Sequence, residues 1–88
     1  MRSARLASSP RLRRTLDVLE RARTADGGGW LTTRQLVRRA SICAVNSVVA
    51  ELRDNGCTIL CRVETDATGR RRWRYRLEAA PANWRARP

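Results

Sequence analysis

Arg70–Leu77, RRRWRYRL, holds the densest run of anion-binding side chains in this chain. With the two-residue period of a β-strand it divides into two faces. Arg70, Arg72, Arg74 and Arg76 fall on one side, and Arg71, Trp73, Tyr75 and Leu77 on the other. A guanidinium is planar, stays charged at physiological pH and presents paired N–H donors that match a phosphate. The pattern predicts a strand that buries Trp73, Tyr75 and Leu77 and turns its arginines toward a polyanion, with phosphate backbone the leading candidate. The bland alternative is an arginine face that is merely solvated and blunts edge-to-edge aggregation.

Other chemistry is poorly supplied. There is no His and no Lys, and no acidic pair stands in a recognisable site. Cysteine would be the only nucleophile, with no base to activate it, so no enzymatic activity and no cofactor are expected. Cys43, Cys57 and Cys61 are odd in number and lack a disulfide-scaffold spacing. A structural zinc site takes four ligands, which three thiols do not complete. They read as small buried thiols, with no metal.

Charge agrees with the polyanion reading. The 88 residues carry 19 basic side chains, all Arg, against 8 acidic ones, a net charge of +11. A Lys-free, Ala-rich composition is also what a GC-rich bacterial or phage genome tends to encode. An excess of this size still calls for a counter-charge, and nucleic acid is the commonest. No stretch approaches the ~18–20 apolar residues of a membrane span, and the basic N-terminus lacks the apolar core of a signal peptide. The expected location is the bacterial cytoplasm or nucleoid, with no membrane partner.

The elements that position these residues follow from periodicity. Residues 1–8 read as a flexible basic arm. Ser9-Pro10 is a helix start, with Ser as N-cap and Pro at the first helical position. Leu12, Leu16 and Leu19, widened by Val18 and Ala22, form one apolar stripe that ends near Thr24, before Asp26 and Gly27–Gly29. Trp30-Leu31 is a short extended piece. Thr32 and Gln35 have capping-box spacing, which starts a second helix over Thr33–Ala40. Ser41-Ile42-Cys43 leads to a third helix over Ala44–Asn55, striped by Val45, Val48, Val49 and Leu52 and closed by Gly56 as C′ residue. The period then switches to two for Ile59, Cys61 and Val63. Asp66–Gly69 is a hairpin loop, and the arginine-rich stretch returns as the second strand. The domain spans residues 9–78, and residues 79–88, where Trp84 stands among Arg85 and Arg87, read as a loose tail.

This order is that of an α+β winged helix-turn-helix: three helices and a C-terminal two-stranded β-hairpin wing, with room for a short third strand at Trp30-Leu31. AVNSVVAELRDNG running directly into a hairpin resembles the recognition helix and wing of the biotin-repressor-type winged helix. It is also similar to small winged helix-turn-helix proteins of phages and prophages. The matching residues are Ala44, Val45, Asn46, Val49, Leu52, Arg53, Asp54 and Gly56, then Tyr75 and Leu77. The likeness spans Arg11–Leu77.

The resemblance implies binding of double-stranded DNA by a small phage or bacterial transcriptional regulator or architectural factor. The third helix would lie in the major groove and the wing against the backbone. On this chain it implies Cys43, Asn46, Ser47 and Ala50 as base-reading positions. Asn46 is the strongest, because its amide donates and accepts at an adenine edge at once. One departure stands out. Residues 41–56 hold one Arg and two acids, net −1, whereas residues 1–40 carry +7 and residues 57–88 carry +5. Backbone affinity is therefore expected from Arg34, Arg38 and Arg39 and from the wing arginines Arg62, Arg70, Arg71, Arg72 and Arg74. A homodimer is left open, since two-fold operators are usually read by dimers. The non-basic third helix and Trp84 also leave open a protein-interaction module, for example a small phage protein binding a host nucleoprotein complex.

Overall fold

The computed structural model describes residues 5–25 and 28–85. Arg2 of the expected arm, Asp26 and Gly27 before the turn, and Arg87 of the tail lie outside them.

Helix α1 (Pro10–Arg23) begins as its sequence dictates: Ser9 Oγ accepts from the Leu12 N–H at 3.3 Å and Pro10 takes the first helical position. Its stripe of Leu12, Leu16 and Leu19 is fully buried. A short strand β1 (Leu31–Thr32) leads into α2 (Thr33–Ala40). Thr32 ends the strand because its side chain is committed to the helix, in a complete capping box with Gln35. At the other end of α2, Ser41 turns left-handed (φ 55°). The last carbonyls are met from α1, where Arg14 Nε donates to Ala40 O at 3.1 Å. A cation there also opposes the negative end of the helix dipole. Four residues then connect α2 to α3 (Val45–Asp54). Gly56 follows at φ 93°, the left-handed conformation its position past the helix predicts.

Strands β2 (Thr58–Thr65) and β3 (Arg71–Ala79) form a long antiparallel hairpin. Its loop is built on Asp66, whose Oδ1 accepts from the Thr68 N–H, the Thr68 hydroxyl and the Arg70 N–H. The sheet has three strands in the order β1-β3-β2, all antiparallel. The β2–β3 hairpin is present, but the sheet it belongs to has three strands rather than two. The third strand also falls on Leu31–Thr32 rather than Trp30-Leu31, because buried Leu31 is the residue that pairs with Tyr75 on the core face.

The core joins Leu12, Leu16 and Leu19 to Leu36 of α2, Val48 and Leu52 of α3, and Ile59, Tyr75 and Leu77 of the sheet. Burying each leucine contributes about 1.5–3 kcal/mol, the main stabilising quantity in so small a domain.

Four further expectations are corrected. Leu6–Ser8, read as part of a flexible arm, forms a 3-10 turn with Leu6 buried, its N–H donating to Asn55 Oδ1 at 2.9 Å. The stretch after Glu78, read as loose, continues β3 to Ala79 and then packs back on α1. There Trp84 Nε1 donates to Glu20 at 2.9 Å, and Arg13 donates to the Trp84 carbonyl at 3.0 Å. Arg85 completes this seam with ion pairs to Asp17 and Glu20. Of the three thiols only Cys57 is buried, and Cys43 and Cys61 are exposed. Trp73, placed on the buried face by alternation, is 47% exposed. It does share the face of Tyr75 and Leu77, but β2 and β3 run on past the helical layer, which covers β3 only as far as Tyr75.

Candidate nucleic-acid interface

The outward side of α3 is set by what its inward side buries. With Val45, Val48, Val49 and Leu52 in the core, Asn46, Ser47 and Ala50 are left exposed, with Cys43 exposed just before the helix. All four expected base-reading positions are therefore accessible. Of the two acids of α3, Glu51 is half-buried and ion-paired with Arg11 of α1 at 2.8 Å, and Asp54 is exposed at the C-terminal end of the helix.

Between α3 and the sheet lies a groove of about 650 Å³. Cys43, Asn46 and Arg53 form one wall, Cys61, Trp73 and Tyr75 the other, and Thr33 sits at the start of α2. Two hydrogen bonds hold the walls in register. The Tyr75 hydroxyl donates to Asn46 Oδ1 at 3.0 Å, and Arg53 Nη2 donates to the Ile59 carbonyl at 2.7 Å. Burial pushes the Tyr75 phenol above its ordinary value, so it keeps the proton it donates.

A second groove, of about 560 Å³, lies beside α2 and is distinguished by its lining. Arg34 and Arg38 of α2 face Arg71, Arg72, Trp73 and Arg74 of β3, and no carboxylate lines it. The groove exists because β1 pairs only with Tyr75 and Arg74, then ends as α2 begins. The β3 edge from Arg71 to Trp73 is thus left open beside α2. Thr33 and Trp73 line both grooves, so the exposed face of α3 runs continuously into the arginine groove.

The expected backbone-binding arginines fall into two groups. Arg34, Arg38, Arg39, Arg70 and Arg71 are exposed and make no ion pair among the described residues. Arg62, Arg72 and Arg74 do not stand free. They lie on the outer face of the sheet, opposite the side that meets α3, and are ion-paired there to two carboxylates, which offset two of their three charges. Glu64 sits 2.8 Å from Arg62 and 3.0 Å from Arg74, and Asp66 sits 3.0 Å from Arg72. Arg62 also stacks over Trp30, 4.2 Å from the ring centre. The Thr68 hydroxyl, then Arg72 and the Arg70 N–H, hold the Asp66 carboxyl well below the usual carboxylate range. This corrects the simple division of the strand into a buried aromatic face and a free arginine face. The cross-strand register places Glu64 opposite Arg72 and next to Arg74 on one face. Arg39 and Arg70 are free but line neither groove.

Arg53 and the Tyr75 hydroxyl were given no role by the sequence reading. The signal for Arg53 was present: Asn46, Ala50 and Arg53 follow the i, i+4, i+7 spacing of one helical stripe. Cys43 and Cys61 share a groove, yet among the described residues no group of three potential metal ligands comes together. No helix among the described residues is long and apolar enough to cross a membrane. Comparison with protein-family models, with curated proteins and with solved structures gives no match.

Proposed function

We propose that this chain is a winged helix-turn-helix protein that binds double-stranded DNA, as a small phage or bacterial regulator or architectural factor. In this reading α3 is the recognition helix and the β2–β3 hairpin is the wing. Asn46, Ser47 and Ala50 face base edges in the major groove. Arg34, Arg38 and Arg71 grip the phosphates that border it, and Arg39 and Arg70 add to the surrounding positive field.

One observation carries the reading. The exposed face of α3 adjoins a groove that Arg34, Arg38 and Arg71 line outside any ion pair among the described residues, with Arg72 and Arg74 beside them paired to Asp66 and Glu64. That division of labour suits duplex recognition, where phosphate contacts supply affinity and position while base contacts discriminate. A phosphate ridge lying in the arginine groove would bring α3 alongside the base edges.

A selection of bound sequences from random duplexes tests this. Recovery of a sequence motif supports recognition by α3, and its symmetry reports whether one copy or two bind. No duplex binding at low salt, together with capture of one stoichiometric protein partner, would favour the interaction-module reading instead.

A further inference from the structure

The three tryptophans of this chain have different surroundings. Trp30 is half-buried and covered by Arg62. Trp84 is half-buried against α1, with Arg85 4.5 Å and Arg13 5.8 Å from its ring centre. Trp73 is 47% exposed and, among the described residues, no guanidinium covers it. Its cross-strand neighbour, Val63, is 45% exposed. The two make an apolar pair near the end of the hairpin, one face-step beyond buried Tyr75, and Trp73 itself lines both grooves.

We infer that Trp73, backed by Val63, is an apolar wedge that enters the minor groove next to the segment read by α3 and bends the duplex. This rests on the duplex-binding reading above and adds a contact and a deformation to it. Charge selects the occupant. The wedge is bordered by Arg34, Arg38 and Arg71, with no carboxylate in the arginine groove. An apolar protein surface seated there would have to desolvate those guanidiniums without compensation. A base step flanked by two phosphate ridges meets both requirements, apolar at the centre and anionic at the rim. Asn46 and Trp73 also line the same groove from opposite walls. Trp73 lines the arginine groove as well, so a phosphate ridge held there would lie beside it. Apolar wedges of this kind partly unstack a step and kink the duplex toward the major groove, most readily at a flexible TA step.

The test uses the full chain and a duplex of about 24 base pairs with a central TA step, fluorophores at its ends and aminopurine at the step. Wild-type protein should shorten the end-to-end distance and raise the aminopurine signal as stacking is lost. Trp73→Ala should bind about tenfold more weakly and lose both signals, while the dependence of affinity on salt keeps its slope. Trp73→Phe should restore part of the bend. Circular dichroism should be unchanged in both variants, because the side chain lies outside the core. The inference is overturned if the Ala variant bends and unstacks the duplex like wild type, or loses only a protein partner. If wild-type protein fails to bind the duplex at low salt, the duplex-binding reading itself fails.

Discussion

The Tyr75 hydroxyl donates to Asn46 Oδ1 at 3.0 Å, tying the middle of β3 to the first turn of α3. The bond fixes the angle between hairpin and helix and orients the one side chain on α3 best suited to an adenine edge. A carbonyl oxygen has two lone pairs, so Asn46 can keep this bond and still accept from a base.

Replacing the amide should therefore alter choice rather than grip. Asn46→Ala is expected to cost about 1–3 kcal/mol on a selected site and nothing on random duplex. Tyr75→Phe should lose a smaller part of the same preference, about 0.5–1.5 kcal/mol, because the amide is no longer held in place. Competition binding between selected and random duplexes checks both, and equal losses on the two would show that Asn46 does not read bases.

Glu64 restrains two arginines, and removing its charge should release them. Since the pairs are largely exposed, Glu64→Gln should change stability by no more than about 0.5 kcal/mol. Arg74 lines the arginine groove, so the same variant should bind duplex several-fold more tightly and steepen the salt slope by about 1. Unchanged affinity would place Arg74 outside the interface.

The seam between the C-terminal segment and α1 is structural. Trp84→Ala removes a half-buried ring and the hydrogen bond to Glu20, and should lower stability by roughly 1–3 kcal/mol in denaturant titration. Duplex affinity measured well below the unfolding midpoint should be unaffected. A selective loss of DNA binding would move this segment into the interface.

Alkali should destabilise the fold through two groups. Burial raises the pKa of Cys57 and of Tyr75 above their ordinary values, so the folded chain holds both protons more tightly than the unfolded one. Their contribution is fully present below the unfolded pKa values of about 8.5 and 10, and is lost as pH rises through the folded ones. Thermal midpoints should fall from about pH 9 upward, and less steeply in Tyr75→Phe. A midpoint that stays level in this range would contradict it.

Local features of the fold were legible in the chain, and features that depend on reach were not. The Ser9-Pro10 start, the Thr32–Gln35 capping box, Gly56 and the exposure of Asn46, Ser47 and Ala50 each depend on a few neighbouring residues. Each stands as read. Alternation assigned Trp73 to the correct face but could not say that the helices stop covering the sheet at Tyr75. The ion-paired arginines required the register that brings Glu64 beside Arg62 and Arg74. Docking of Trp84 joins residues 64 positions apart, beyond any local pattern. The RRRWRYRL strand thus supplies fewer free cations than its composition suggests, and Arg34 and Arg38 of α2 supply the complement.

Duplex affinity measured against salt concentration tests the central claim most directly, for wild-type protein and for the double variant Arg34→Ala/Arg38→Ala. If about five phosphates are neutralised, log K for wild type should fall with log salt at a slope of roughly −4 to −5, and the double variant should be shallower by about 2. Absence of duplex binding at low salt, or an identical slope in the double variant, would contradict a phosphate-binding groove between α2 and β3.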